Sequence, residues 1–262
     1  MPLTLAARLG RSFLDSASGV KQAVSILDDS MAAVLRLAFL NHAVAWQTAR
    51  QIVFTGVQAI PVVAGLGLAI GSVAVHFILR YLTEFGGYDY VGKVLTTSVL
   101  HEIGPLTVAT VLLLRSGAAV ISEIGIMQLR GEMNTLEAFG VDRTRFIYVP
   151  RLLALSLCAP CLTLIFSLVA LVGGFFVLGY LHDITFGSYL DQLVQAATLT
   201  SLGIVLFKPM FMGAAAAVVC IRHGAGVTGS QAQIPMMLIR GMMLAMLAIL
   251  AIEIAFTFLL SV

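Results

Sequence analysis

The sequence predicts an all-α polytopic membrane protein, and its composition and its long apolar blocks are the observations that indicate this fold class. Of the 262 residues, 60% are apolar and 11% are charged, whereas soluble domains carry about 25% charged residues. The mean hydropathy is +1.02. A membrane-spanning helix needs about 20 mainly apolar residues. Five segments meet this requirement: 52–79, 94–114, 152–181, 193–221 and 241–262.

The N-terminal region 1–51 differs from the transmembrane domain 52–262 because charged and apolar side chains are mixed in it. Within residues 31–51, Arg36, His42 and Arg50 lie among leucine, phenylalanine and tryptophan side chains. This pattern predicts an amphipathic helix that lies along the membrane interface. A helix packed on protein is the alternative. The first 30 residues carry charges without a continuous apolar run, so we expect no cleavable signal peptide.

The distribution of Lys and Arg between the five spans predicts the orientation. Twelve of these residues fall in the N-terminal region, in segment 115–151 and in segment 222–240, which all lie on one side of the membrane. The other side receives Arg80 and Lys93, and Lys208 lies within a span. Because positive charge marks the cytoplasmic side, we expect a cytoplasmic N-terminus and a periplasmic C-terminus.

The first predicted span contains Gly67 and Gly71, four residues apart. Two small residues at this spacing allow two helices to approach closely. We interpret the pair as a candidate homodimer seam or cavity wall. Such pairs also arise by chance in apolar helices.

Segment 115–151, between the second and third predicted spans, carries five arginines and four acids. At about 100° per residue, its side chains separate onto a polar and an apolar edge of one short helix. Gly140 is placed to end this helix, and Asp142 can cap the next one. Two interpretations stay open: a coupling helix that docks into a soluble motor, or an interfacial helix with a solvated face. The polar edge carries Glu123, Arg130, Asn134 and Glu137, and the apolar edge carries Ile126, Leu129, Met133 and Leu136.

Ionisable residues also occur inside the predicted spans: Glu102 beside His101, Lys208, and Glu253. A charge at the bilayer centre costs about 2.5–3.5 kcal/mol on insertion scales, so such groups face a cavity or a partner. Pro209, directly after Lys208, can kink its helix. A structural ion pair between Glu102 and Lys208 and a polar binding site are both open interpretations. For Glu253, a pairing with a neighbouring helix and a functional role are both open interpretations.

The remaining sequence patterns argue against cofactor chemistry in the chain. Cys158 and Cys161 lie in an apolar run without a second pair of ligands, so we interpret them as packing residues and predict no metal site or disulfide. No phosphate-binding Gly-x-x-x-x-Gly-Lys-Ser/Thr loop occurs. The small net charge of +2 gives no reason to expect nucleic-acid binding.

Four runs of residues make the sequence resemble a known family. They are His-Glu-Ile-Gly-Pro at 101–105, Arg-Ser-Gly-Ala-Ala-Val-Ile-Ser-Glu-Ile-Gly at 115–125, Glu-Ala-Phe-Gly-Val-Asp at 137–142, and Val-Pro-Arg at 149–151. Together they closely resemble the MlaE/YrbE permeases. These are membrane subunits of MCE-linked ABC transporters that move phospholipids between the inner and outer membranes of Gram-negative bacteria. The resemblance covers about residues 30–260.

The resemblance implies a set of partners and a location. It implies a permease homodimer in the bacterial inner membrane that serves outer-membrane lipid asymmetry. It implies a cytoplasmic ABC ATPase that binds ATP and Mg²⁺, a periplasmic hexamer of MCE-domain proteins, and in many systems a STAS-domain regulator. The chain itself would be no enzyme and would hold no cofactor. The ATPase would dock on the helix after the second span, through Glu123, Met127, Arg130, Asn134 and Glu137.

The resemblance also implies that His101, Glu102 and Lys208 line the headgroup end of a phospholipid cavity at the dimer interface. Lys208 would attract the phosphate, and Glu102 would hold Lys208 or contact a headgroup amine. The family commonly has arginine where His101 stands, and many members have an acid where Asn134 stands. The residues leave the direction of lipid movement and the headgroup preference open.

Two other function classes are alternatives to an ABC permease. A stand-alone secondary transporter or channel for an amphipathic substrate is the first, but five spans with one large charged connection fit an inverted repeat poorly. An intramembrane enzyme is the second, but the sequence contains no His-Glu-x-x-His motif and no Ser/His/Asp set at one membrane depth.

Overall fold

The computed structural model describes residues 42–85, 91–178, 186–196 and 198–261, and within these ranges the regular structure is helical. Five helical runs are long and apolar enough to cross a membrane, which confirms the predicted fold class. We call them spans one to five: Val44–Leu82, Lys93–Leu129, Thr144–Phe176, Thr200–Ala225 and Gln231–Leu259. Most of the expected interfacial helix at 31–51 lies outside the described residues.

Several spans contain short breaks in the α-helical hydrogen-bond pattern. The α-helices are α1 His42–Thr55, α2 Ile60–Glu84, α3 Val91–Leu95, α4 Gly104–Leu112, α5 Ala118–Leu129, α6 Glu132–Ala138, α7 Val149–Leu168, α8 Gly174–Leu178, α9 Phe186–Ala196, α10 Leu199–Ala225 and α11 Ile234–Ser261. The π-helical segments are Thr96–Ile103, Leu113–Gly117, Thr144–Tyr148 and Val169–Gly173, and the 3₁₀ turns are Val57–Ala59 and Gln231–Gln233.

The α-helical pattern of span one is interrupted between α1 and α2, and span two contacts the chain at this point. The Arg115 guanidinium donates to the Phe54 carbonyl and to the Gln58 side-chain oxygen, both at 3.0 Å. It also lies over the Phe54 ring, 5.2 Å from its centroid. The carbonyl beside the interruption therefore gains a donor from another helix. The expected division of the chain at residue 51 falls inside α1.

Span two is longer than predicted. The sequence placed its end at residue 114, before Arg115, but the helical run continues through a π segment and α5 to Leu129. The charge of Arg115 does not end the helix because span one supplies acceptors for its guanidinium. The helix therefore continues past Arg115, and the point at which span two leaves the membrane stays a prediction.

The ends of spans four and five also differ from the prediction. The predicted fourth span 193–221 began inside α9, whereas α10 begins at Leu199, where the Thr198 hydroxyl accepts from the Ser201 amide at 3.2 Å. The predicted connection 222–240 is shorter, since Arg222 lies in the last turn of α10 and Arg240 lies in α11. Basic side chains near a helix C-terminus interact favourably with its dipole, which allows α10 to extend past them.

Gly67 and Gly71 lie in the contact between spans one and three. A Cβ built on Gly71 would lie 2.3 Å from the Ala170 Cα, and one on Gly67 would lie 3.0 Å from the Phe166 carbonyl oxygen. The close helix approach that the glycine pair favours thus occurs, but its partner is span three of the same chain. Within one chain this face of span one is therefore occupied by span three, and a role of the glycine pair at a homodimer seam or cavity wall stays a prediction.

Span four is the centre of the bundle, because it packs against spans three and five and against α4 and α5 in span two. Span five is held on one side and exposes large apolar side chains on the other. In span three, Cys158 is buried and Cys161 is exposed, and both are free thiols.

The glycine packing predicts a position-specific loss of stability. We expect Gly71→Ala to lower the free energy of unfolding by about 1–3 kcal/mol, because its methyl group would meet span-three backbone. Gly65→Ala is the matched control in the same helix, since a Cβ there has no neighbour within 4 Å. Thermal unfolding of the detergent-purified proteins measures the difference. Equal midpoints for the two variants would contradict this packing.

Candidate functional site

A buried ammonium group joins spans two, four and five. The Lys208 side chain has no exposed surface, and its Nζ donates three hydrogen bonds. The acceptors are the His101 carbonyl at 2.7 Å, a Glu253 oxygen at 2.9 Å and a Glu102 oxygen at 3.1 Å. A lysine ammonium has three hydrogens, so its donor capacity is filled. We call Lys208, Glu102, Glu253 and the His101 carbonyl the Lys208 cluster.

The local sequence explains why a backbone carbonyl joins the cluster. In an α-helix, the amide of residue 105 would donate to the carbonyl of residue 101, but Pro105 has no N–H. The His101 carbonyl thereby loses its ordinary α-helical donor, and Lys208 donates to it instead. The preceding residues Thr96–Ile103 are π-helical, a distortion that often marks functional sites.

The two carboxylates of the cluster differ in exposure. Glu102 is 36% exposed and Glu253 is 13% exposed. The Thr257 hydroxyl, one turn after Glu253, lies 3.2 Å from the Glu102 oxygen that Lys208 also contacts. The second Glu253 oxygen is buried and has no hydrogen-bond partner among the described residues. Two acids facing one lysine leave a formal excess of negative charge when both are ionised.

The structure brings together the ionisable residues that the sequence singled out inside the spans. The exception is His101, whose backbone carbonyl rather than its ring joins the cluster. Glu102 and Lys208 are paired, and Glu253 is the third member, for which the sequence left a pairing with a neighbouring helix open. His101 contributes its carbonyl to the cluster, while its buried ring Nε2 has no hydrogen-bond partner in the described part of the chain. The signal for Glu253 was present in the sequence, because a lone acid in an apolar span requires a partner.

A second ion pair lies near the end of the bundle that carries the charged connection. The Arg151 side chain is 6% exposed, and its Nη2 lies 2.8 Å from a carboxylate oxygen of Glu123, which is 50% exposed. Arg151 Nη1 also donates to the Ile147 carbonyl at 3.0 Å. The pair connects α5 in span two to the start of span three. Sequence reasoning placed Glu123 on a polar edge and did not find this partner.

The charged segment 115–151 contains two short helices, α5 and α6, where the sequence predicted one. Gly131 has a φ of +72°, a left-handed conformation that interrupts the α-helix between α5 and α6. The predicted polar edge is thus divided, with Glu123 and Arg130 on one helix and Asn134 and Glu137 on the other. The signal missed was the glycine itself.

Two details of the connection agree with the sequence prediction. Gly140 has a φ of +75° and follows the end of α6. The Asp142 carboxylate accepts from the Thr144 amide at 2.8 Å, at the start of the next helical run. Both residues therefore perform the local roles that their types favour at helix ends.

The exposed side chains of the connection are concentrated on and just after α6. Met133 is buried, whereas Asn134 and Glu137 are exposed, and Glu137 pairs with Arg143 at 3.0 Å. Met127, on α5, is half-buried. Phe139 follows α6 and is 80% exposed. Sequence reasoning did not select Phe139, although a large aromatic residue between polar residues and a glycine is a usable signal for a contact surface.

An apolar cavity of about 230 Å³ lies where α9 packs beside spans two and three. Tyr189 anchors α9, because its hydroxyl donates to the Leu171 carbonyl at 3.1 Å and its ring stacks on Phe175. Burial raises the pKa of the Tyr189 phenol, which therefore stays a hydrogen-bond donor. The cavity is lined by Thr96, Leu100, Ser167, Leu171, Leu190 and Leu193, among others. In the described residues, no group of three or more His, Cys, Asp or Glu side chains could hold a metal ion.

Comparisons with known proteins agree with this architecture. The family described as Permease MlaE matches residues 48–259. A Haemophilus influenzae protein named intermembrane phospholipid transport system permease protein MlaE is 30% identical over 125 residues, which is 48% of each chain. A probable ABC transporter permease protein of Synechocystis is 28% identical over 165 residues, covering 62% of this chain and 63% of its own length. A Rickettsia prowazekii protein with the same description is 27% identical over 146 residues, or 56% of each chain. The matched segments cover between 48% and 63% of the length of these three relatives.

The Lys208 cluster predicts a large loss of stability on mutation of Lys208, which further mutations of its two acids should compensate. We expect Lys208→Met to lower the free energy of unfolding by about 3–5 kcal/mol, because removing one partner of a buried ion pair leaves the others uncompensated. Adding Glu102→Gln and Glu253→Gln to that variant should recover most of the loss. Thermal unfolding and the monodisperse yield in detergent measure both proteins. A triple variant no more stable than Lys208→Met would contradict the electrostatic explanation.

Proposed function

The chain belongs to the MlaE permease family, and from this premise we propose that it is the membrane subunit of an ABC transporter for phospholipids. A separate cytoplasmic ATPase would bind and hydrolyse ATP. The observation that carries the proposal is α6 with Phe139, which presents an exposed surface on the connection between spans two and three. Its chemistry suits a docked soluble partner, because exposed aromatic side chains are enriched at the centres of protein interfaces.

We place the centre of the ATPase contact on α6 and Phe139. Asn134 and Glu137 are exposed there, and Arg130 is exposed at the end of α5. Met127 is half-buried, so this predicted contact would lie at the edge of the surface. Glu123 is paired with Arg151, and we place it outside the contact. The proposed interface therefore has an aromatic centre with a polar surround.

The Lys208 cluster is the proposed place of contact with a lipid headgroup. Of the three predicted lipid-binding residues, Glu102 has the most exposed side chain, while Lys208 and the His101 ring are buried. Glu102 would meet the headgroup, and Lys208 would hold Glu102 in place. With two acids and one lysine, the cluster suits the amine end of a headgroup better than the phosphate end.

The proposed setting is the bacterial inner membrane. The arginines of the connection between spans two and three favour a cytoplasmic location for α6, with the C-terminus in the periplasm. A homodimer of permeases, a periplasmic ring of MCE-domain proteins and a STAS-domain regulator complete the proposed assembly. The name of the Haemophilus influenzae relative, which refers to intermembrane phospholipid transport, supports a role in moving phospholipids between membranes. The proposed cellular role of this transport is to maintain the lipid asymmetry of the outer membrane.

The proposed mechanism uses two conformations of the permease. ATP binding would draw two ATPase copies together and displace the two α6 helices. The displaced connection would then alter the space between the permeases where Glu102 meets the lipid. The nucleotide shifts the balance between conformations only to the extent that the ATPase prefers one of them.

Lipid transfer tests the transport function. In proteoliposomes that contain the permease, its ATPase and the MCE partner, we expect transfer of labelled phospholipid to require ATP, with both directions scored. Glu102→Gln should lower the rate by about tenfold, which corresponds to loss of one charge-assisted hydrogen bond. Glu84→Gln is the matched control, because that acid forms an exposed pair with Arg80 at a span end. ATP-independent transfer by the permease alone would favour a stand-alone transporter or channel.

Co-purification tests the ATPase contact. We expect Phe139→Asp to weaken ATPase binding by about 30-fold or more, the effect of losing a central aromatic contact. Phe85→Asp is the control, because Phe85 is also highly exposed. It follows the C-terminal end of α2, on the side of the membrane opposite to the one proposed for α6. The stoichiometry of the purified complex and the binding constant measure the effect. Full ATPase retention by Phe139→Asp would contradict docking at α6.

A further inference from the structure

The ion pair between Glu123 and Arg151 joins the two helical runs that flank the charged connection. Building on the proposed function, we infer that Glu123 is a positioning residue: with Arg151 it locks α5 to the start of span three. A force on α6 is then passed to spans two and three together. In this role Glu123 acts through Arg151 and makes no essential contact with the ATPase.

The Arg151 side chain is buried and hydrogen-bonded. Its guanidinium is 6% exposed and donates to Glu123 at 2.8 Å and to the Ile147 carbonyl at 3.0 Å. Its Nε is buried and has no hydrogen-bond partner among the residues that the structure describes. Glu123 is therefore the principal compensation for a buried positive charge, and the pair cannot separate without exposing or stranding that charge.

The helix that carries Glu123 is firmly packed. A Cβ on Gly125 would lie 3.1 Å from a Val227 side-chain atom, and one on Gly224 would lie 2.8 Å from the Ile124 Cβ. Ile121 and Ile124 have no exposed surface. Because α5 is held against span four and the segment after it, it forms a rigid base for the connection.

The helix beyond this base is attached differently. Gly131 and Gly140, at the two ends of α6, both have positive φ, and a Cβ on either would have no neighbour within 4 Å. Met133 is buried and Leu136 half-buried, so α6 contacts the bundle through one face. A glycine with positive φ thus lies at each end of α6. The Glu123–Arg151 ion pair joins the helices on either side of the connection.

This arrangement determines whether a displacement of α6 is transmitted to spans two and three. With the Glu123–Arg151 pair intact, both attachments of the connection belong to one body, so movement of α6 is transmitted to both spans. Without the pair, α5 and the start of span three can separate, and part of the movement is lost between them. The ATPase could then still bind and hydrolyse ATP while moving less lipid.

The test measures lipid moved per ATP hydrolysed in the reconstituted complex, beside ATPase co-purification. For Glu123→Gln and for Arg151→Lys we expect normal ATPase stoichiometry and a ratio lowered by about tenfold, the factor for one hydrogen bond to a charged group. The double variant Glu123→Arg with Arg151→Glu should restore most of the ratio. Glu84→Gln is the control for removing an acid from an exposed pair.

Each outcome decides the inference. An unchanged ratio in Glu123→Gln, or loss of the ATPase from that variant, overturns it, the second result making Glu123 a docking contact. If Glu123→Gln yields no folded protein, the exchanged pair carries the test: a restored ratio supports the lock and a persistent loss overturns it. A wild-type complex without ATP-dependent lipid transfer would instead contradict the proposed function, and the inference with it.

Discussion

The bundle depends on one requirement, which is that a lysine ammonium inside an apolar bilayer must have all its hydrogens bonded. Lys208 meets it with acceptors from two other spans. Since the three acceptors surround one Nζ at 2.7–3.1 Å, spans two, four and five cannot slide past one another without breaking a bond to a buried charge. Hydrophobic packing does not give this registry, because apolar side chains in lipid gain little from one particular helix partner. The position of the exposed Glu102 side chain follows from the same constraint.

The number of spans could be predicted from the sequence because membrane insertion depends on local composition. Span ends were less predictable because they depend on neighbouring helices. The charge of Arg115 predicts the end of a span. In the structure the helix continues, because Phe54 and Gln58 of span one accept hydrogen bonds from Arg115. Gly67 and Gly71 likewise predict a close approach without identifying the helix that approaches.

The candidate site was predictable in its residues and not in its bonding. Each buried charge indicated a partner, yet charge alone could not decide between a structural pair and an open binding site. The carbonyl of His101 became available through Pro105, an effect that depends on the backbone and that a search for charged side chains does not detect. Glu123 lay on the expected polar edge, but its partner Arg151 is 28 residues away. Only the folded arrangement of spans two and three brings them together.

The Lys208 cluster also has a consequence for biogenesis. Ribosomal synthesis delivers the helices in chain order, so Glu102 and the His101 carbonyl are in place before Lys208 is made, and Glu253 arrives last. When span four enters the bilayer, the His101 carbonyl and the Glu102 carboxylate are therefore already available as acceptors for Lys208. The final helix completes the set, and a chain truncated before Glu253 would leave one hydrogen of the Lys208 ammonium without its acceptor.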